Sequence, residues 1–420
     1  MNASPDPQPT RPTSSSASRH EQVLDEAARQ LNAKGVSLTS LAEIAAKLGI
    51  SRAAMYYYVQ DREDLVFQCY RHSLEITARH LVEAGRSGGD AIGIISGFIE
   101  RMLDPNEPET AARAEIAMMN EKQRDTIQGL YDALATRLAQ ILEAGRREGL
   151  VRNCDVDVNA RAILSLITWA PLARPWAIAL GPMGHSRIVE AVKATIFDGV
   201  SSTREPPAYR PFDLSPLRMR VGEVFDRNAM SDAKREALNT VASRLFNRKG
   251  IDATSLEEIA AQVGATKRTL HRHFGSKQEL VGACYARAFK IFLFICDNMQ
   301  KYQGSVVEAF AAAFHALAIA YPREDLSPLS PLVGFDALSD QAKAKFAEHS
   351  AALTGGYRDV ISRGVQEGSV RELDIEARLL VMPGPLSWLV KDDVPTDNTQ
   401  REHIAKEIAT LMAIGLRVPA

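Results

Sequence analysis

The stretch TSLAEIAAKLGISRAAMYYYVQD, Thr39 to Asp61, occurs twice in this chain, and no other feature constrains the fold as strongly. It returns as TSLEEIAAQVGATKRTLHRHFGS from Thr254 to Ser276, displaced by 215 positions without a gap. From Arg19 to Ile76 the same offset gives 19 identities in 58 positions. A second correspondence lies further on, where GRREGLVR (Gly145 to Arg152) matches GVQEGSVR (Gly364 to Arg371) and Trp169 matches Trp388, now at an offset of 219. The change of offset places small insertions in loops, so whole units have been duplicated and the same local physics must be satisfied twice.

Within the repeat the residues spell short helices. From Arg19 to Lys34, Val23, Ala27, Ala28 and Leu31 fall on one helical face, and Gly35 stops the run. Ser40-Leu41-Ala42-Glu43 then reads as a capping box, with Leu41, Ile44, Ala45 and Leu48 as its buried stripe and Gly49 at the left-handed end. Ser51 caps a second short helix with Met55 and Val59 inward, and small Ala45 permits a close crossing. The second copy repeats the cap (Ser255 to Glu258), the small residue (Ala260), the glycine (Gly264) and the inward pair Leu270 and Phe274. This is a helix-turn-helix, twice. A further cap follows each copy, Asp61 and Ser276, and opens a longer helix.

Beyond the first copy, apolar periodicity marks helices at Ala91–Met102, Ala111–Asn120, Thr126–Arg147, Val158–Ala179 and Arg187–Phe197, with Pro171 and Pro175 expected to kink or break the fourth. Ser201–Leu217 carries four prolines and no helical pattern and reads as a linker, able to reach roughly 50 Å if extended. Arg218–Met230 is ambiguous between linker and short element. The expected architecture is therefore all-α, in two tandem units. It comprises a disordered arm (1–18), a first helix-turn-helix domain (19–65) and its helical body (66–200), a linker (201–230), a second helix-turn-helix domain (231–280) and its body (281–420).

Composition narrows function by exclusion. At 420 residues, 45% hydrophobic and 24% charged, the chain reads as a soluble globular protein with ample cores. It has no apolar run of the roughly 18 residues a membrane span needs, and the polar first residues lack a signal-peptide core. Cys69, Cys154, Cys284 and Cys296 show no metal-ligand spacing and are read as structural thiols of a reducing cytoplasm, with a redox sensor as the lesser reading. A net charge of −2 argues against indiscriminate coating of nucleic acid but leaves room for a local basic face. Nucleophile elbow, P-loop, dinucleotide glycine pattern and metal constellation are all absent from the sequence, so no enzyme activity, cofactor or metal is expected. His271 and His273, two apart on different faces of a helix, do not make a metal pair.

A single helix-turn-helix can bind DNA or serve only as packing. Two copies, each with hydroxyl and basic residues at the start of the second helix, point to DNA, because the outward residues of that helix are those able to reach base edges in a major groove. The charge is uneven: Lys234–Lys277 holds nine Lys/Arg against four Asp/Glu, whereas Arg19–Arg62 holds six against five. The second reader is the more electropositive.

Both units resemble the TetR family of bacterial transcriptional regulators. The resemblance rests on Thr39 to Leu65, with AEIAAKLGIS, Tyr56, Tyr57 and the Arg62-Glu63-x-Leu65 tail, and on Thr254 to Leu280, with EEIAAQVGAT, His273-Phe274 and SKQEL. It implies DNA-binding heads, larger helical ligand-binding and dimerisation bodies, and repression relieved by a small molecule. Carried over by residue, Ser51, Arg52, Ala53 and Tyr57 face bases, with Tyr56 and Arg62 on phosphates. In the second unit Thr266, Lys267, Arg268 and Arg272 face bases, with His271 and Lys277 on phosphates. The bland alternative for Arg52 and Arg62 is solvated surface. His271 departs from the family's usual tyrosine, and Tyr58 from the histidine that the second copy keeps as His273.

The effector would be small and apolar, in cavities lined by Phe98, Met102, Met118, Trp169 and Trp176 in the first unit and Phe314 and Trp388 in the second; such residues also serve simply as core. The stripes Ile188, Val192, Ile196 and Ile404, Ile408, Leu411, Ile414 read equally as core or as a helical bundle joining the units, and the resemblance favours the bundle. The expected partners are double-stranded operator DNA and a small effector, with no membrane. One chain, carrying the unlike reading helices SRAAMYYY and TKRTLHRH, would act as an intramolecular pseudo-dimer on an asymmetric operator, with further association of chains left open. The runner-up is an architectural protein binding DNA without sequence preference, which the near-neutral charge disfavours.

Overall fold

The computed structural model describes residues 14–113, 116–173, 183–218, 227–330, 338–390 and 397–418. Among these there is no β-strand, only two isolated bridges between short segments. The first head is built from α1 (Ser14–Leu38), α2 (Leu41–Lys47), α3 (Arg52–Met55) and the start of α4 (Arg62–Arg86). α1 already includes Ser14, inside the segment read as an arm, and it breaks at Gly35, whose φ of 78° and ψ of 176° leave the helical region. Ser40 Oγ accepts from Glu43 N and Ser51 Oγ from Ala54 N, so both expected caps form. Val23, Ala27, Ile44, Ala45, Met55 and Val59 are buried together as the head's core.

The second head repeats this with α9 (Arg227–Lys249), α10 (Leu256–Gln262), α11 (Lys267–Phe274) and the start of α12 (Lys277–Gln300). Even small anchors recur. Thr39 Oγ1 donates to Gly35 O at 2.7 Å and Thr254 Oγ1 to Gly250 O at 2.8 Å, while Cys69 and Cys284 each donate to a carbonyl of the head's first helix at 3.6 Å. α9 starts at Arg227, which resolves the ambiguous stretch in favour of an element from that residue on.

The bodies are helical layers. The first holds the rest of α4 with α5 (Ala91–Leu103), α6 (Glu121–Arg147), α7 (Val156–Leu172) and α8 (His185–Phe197). The second holds the rest of α12 with α13 (Val306–Ala320), α14 (Asp340–Gln366), α15 (Ile375–Val381), a 3-10 helix (Gly384–Val390) and α16 (Asn398–Ile414). The helix expected at Ala111–Asn120 is not formed: only the 3-10 turn Ile116–Met118 is helical among its described residues, and Asn120 is instead the N-cap of α6. α7 runs through Pro171 to Leu172, and Pro175 lies outside the described residues. Ser201–Leu217 is not a free tether. Ser202 N donates to Ser369 O, Arg210 N to Tyr302 Oη at 2.7 Å, the Tyr209 ring meets His315 edge-on, and Leu214 is buried in the second core.

The two bodies join through contacts that nearly exchange the two units. The Val151 bridge to Arg417 is mirrored by the Val370 bridge to Ser201. Arg152 N donates to Leu416 O at 2.8 Å, and its counterpart Arg371 N donates to Val200 O at 3.0 Å. Arg187 grips Asp374, the N-cap of α15, at 2.7 and 2.8 Å; His403 meets Asp155, the N-cap of α7, at 2.7 Å. Gly199 and Gly415, both left-handed with φ of 61° and 68°, lie where the ends of α8 and α16 cross backbone to backbone. α7 packs along the second unit's 3-10 helix, with Ser165 Oγ donating to Gly384 O at 2.6 Å.

Candidate nucleic-acid interface

The second helix of each helix-turn-helix is held by its cap and by two inward side chains, which leaves the opposite face to solvent. In the first head Met55 and Val59 are buried, and Ser51, Arg52, Ala53, Tyr56, Tyr57 and Arg62 are all exposed. Tyr57 is 88% exposed. The helix is short, four residues followed by a turn through Tyr58, whose ring stacks on His20 at 6.1 Å.

In the second head Leu270 and Phe274 are buried and α11 extends to eight residues, ending at left-handed Gly275. Thr266, Lys267, Arg268, His271 and Arg272 are exposed and Lys277 is half-buried. Several have local duties. Thr266 Oγ1 caps α11 by accepting from Thr269 N, the His271 imidazole bonds Gly275 O through Nδ1 at 2.7 Å, and Lys277 Nζ donates to Asp252 O at 3.4 Å. Arg268 and Arg272 are the exposed cations of this helix with no pairing among the described residues. Burial holds His273 below the ordinary imidazole value, and Arg272, Arg235 and Lys234 add to that effect, so it is a neutral ring behind the face.

One residue that matters here is not legible from the repeat. Glu257 of α10 pairs with Lys267 Nζ at 2.6 Å, and the same place in the first head is Ala42, so Arg52 lacks that restraint. An acid ten positions before a base carries no sequence signal until the turn brings the two helices together.

The candidate effector residues divide. Phe98 and Trp169 are fully buried core, Trp169 donating its indole N–H to Leu380 O at 2.9 Å, and Met118 packs half-buried on the first core. Trp176 lies outside the described residues. Met102 lines a cavity of about 60 Å³ in the first unit, together with Ser73, Thr77, Arg113, Tyr131 and Thr168. Trp388 of the second unit lines that same cavity, because the 3-10 helix packs along α7. Phe314 lines a separate, apolar cavity of about 90 Å³ with Phe292, Tyr321, Tyr357 and Met382. The wall of the first cavity combines apolar Leu74, Leu134, Leu164 and Ile167 with hydroxyls and a guanidinium stacked 3.6 Å over the Tyr131 ring.

Known proteins resemble parts of this chain. The sequence matches the family described as bacterial regulatory proteins, tetR family, over residues 23–69 and again over 239–284. It matches the tetracyclin repressor-like C-terminal domain over 93–200. It is 28% identical over 138 residues to the HTH-type transcriptional regulator AcrR of Shigella flexneri, which covers 30% of this chain and 64% of that protein. It is 27% identical over 157 residues to the HTH-type transcriptional repressor KstR2 of Mycobacterium tuberculosis, covering 34% and 74%. Among solved structures, the TetR family regulator PfmR from Thermus thermophilus aligns at a TM-score of 0.37 and 24% identity, over 42% of this chain and 96% of that one. With the head matched twice and a regulator body lying between the two matches, the chain belongs to the TetR family of bacterial regulatory proteins and carries two such units in tandem.

Proposed function

We propose that the chain is a sequence-specific transcriptional regulator, a repressor released by a small effector, whose two units act as an intramolecular pseudo-dimer on an operator with unlike half-sites. The observation that carries this reading is the near-exchange of contacts between the units combined with unlike exposed residues on α3 and α11. Two-fold contacts are the usual way such heads are set against a two-part site, and unlike heads call for an asymmetric one. Arg52, Tyr57, Arg268 and Arg272 are assigned to base edges and Arg62 and Lys277 to the backbone, on exposure and chemistry. The site of action is then the cytoplasmic chromosome; among the described residues no helix is long and apolar enough to cross a membrane.

The test is selection of bound genomic fragments by the full chain at physiological salt, followed by footprinting. We expect two protected half-sites of different sequence with centres about 10 base pairs, or a multiple, apart. Artificial sites made by duplicating either half should bind more weakly. A duplicated site bound best by the wild-type chain would overturn the asymmetric reading.

A further inference from the structure

We propose that the two heads read different kinds of base pair: the second reads guanine through Arg268 and Arg272, and the first reads thymine through Ala53 and Tyr57. The inference rests on the reading of the chain as a regulator of an operator with unlike half-sites, and it names what differs between them. The offset of 215 that relates the heads sets Ala53 against Arg268 and Tyr57 against Arg272. In each head the two positions lie four residues apart, about one helical turn. Burial of Met55 and Val59 in the first head, and of Leu270 and Phe274 in the second, leaves all four on the solvent side, where they are exposed. Arg52 and Lys267, at the preceding position, are both cations and do not separate the heads.

The chemistry at the two positions is opposite. Arg268 and Arg272 carry no ion pair among the described residues, so both guanidinium groups are available to a ligand. In the major groove, guanine presents two acceptors, O6 and N7, side by side, and the planar fork of arginine matches them with two parallel N–H donors. The first head has no such donor at either place. It offers a methyl group and a phenol ring, and the apolar feature of the major groove is the C5-methyl of thymine. Covering that methyl removes apolar surface from water on both partners. The ring is presented by a hydrogen-bonded turn, with Tyr57 N donating to Ala54 O at 3.2 Å and Val59 N to Met55 O at 3.2 Å. Positive charge nearby is also spent, since Arg29 and Lys47 both pair with buried Glu26. The first head therefore depends more on apolar fit than the second.

The test lets the full chain select duplexes from a random pool at physiological salt, after which the preferred site is rebuilt with base analogues. One half-site should carry guanine, and the other A·T pairs at the equivalent positions. Uracil in place of thymine removes only the methyl, and in the A·T half it should weaken wild-type binding about fourfold, the value of one buried methyl. In the other half 7-deazaguanine, which lacks the N7 acceptor, should weaken it roughly tenfold. Tyr57→Ala should erase the uracil effect and keep the deazaguanine effect, and Arg268→Ala should do the reverse. Ala53→Arg should turn selection in the A·T half towards guanine. The proposal is overturned if both half-sites carry guanine at these positions, if uracil binds as well as thymine, or if Tyr57→Ala and Arg268→Ala lose affinity evenly over all sequences. Unlike half-sites that respond to neither analogue would sink the base assignment and spare the regulator. A chain that selects no sequence at all would sink the regulator and the assignment with it.

Discussion

Arg268 stands on the exposed face of α11, between a lysine already paired to Glu257 and a histidine already bonded to Gly275 O. With Arg272, it is one of the two cations of that helix without a pairing among the described residues, and in the proposed regulator it is assigned to a base edge. Arg268→Ala should cost about 1–3 kcal/mol on the selected site and relax preference at one base position, measured by fluorescence anisotropy. Lys277→Ala should weaken binding evenly across sequences and lower the salt slope by about one. An even loss for Arg268→Ala as well would move that residue to phosphate. At this scale the sequence made exposure legible, because caps and inward residues at helical spacing define which face is left over. It did not reveal Glu257 or the destination of Trp388, because each depends on a neighbour fixed by tertiary packing and not by spacing along the chain.

Among the elements, the pair formed by α7 and its counterpart shows how like sequences diverge. α7 is continuous through Val156–Leu172, whereas the second unit places Pro383 and Pro385 in the equivalent stretch, and the run becomes α15 followed by a 3-10 helix. A proline that lacks an N–H and crowds the preceding turn accounts for the change. Periodicity alone misread Ala111–Asn120, where small apolar residues line the body without forming an α-helix; Ala111 N is satisfied by Ser73 Oγ at 2.9 Å instead. The crossing of α8 and α16 rests on two glycines. A Cβ on Gly415 would fall on the backbone of Phe197 and Asp198, and one on Gly199 on the backbone of Ala413 and Ile414. Gly415→Ala should destabilise by roughly 2–5 kcal/mol, combining left-handed strain with overpacking. Gly149 and Gly368, equally left-handed but with open space around them, are the controls and should lose only the strain. Urea unfolding of the three variants separates the two contributions; equal losses at all three sites would show that the crossing relaxes freely.

At the scale of the molecule, two buried imidazoles tie stability to pH. His80 lies 3.3 Å from Glu107 and His315 lies 2.9 Å from Glu402, and in both the Nδ1 has no partner. Burial holds both below the ordinary imidazole value, with the neighbouring glutamates opposing it. The unfolded chain therefore binds protons that the folded chain refuses as pH falls through the ordinary value of about 6.5. Stability from these groups is complete above that value and lost below it, so the urea midpoint should fall between pH 7.5 and 5.5. A flat profile would mean that both rings titrate as freely as in the unfolded chain. The duplication and the two heads were legible from the repeat. The seam between the bodies was not, because the residues that form it, from Val151–Arg152 to Leu416–Arg417, meet only once both units are folded.

That seam has a consequence for inheritance. When two copies of one polypeptide meet across a two-fold axis, a single codon change alters both sides of the axis together. Here the two sides are encoded separately, Val151 with Arg417 and Val370 with Ser201, and α3 and α11 stand far apart in one gene. A point mutation therefore changes one side and leaves the other as an unmodified anchor, and the pair is always synthesised in equal amounts.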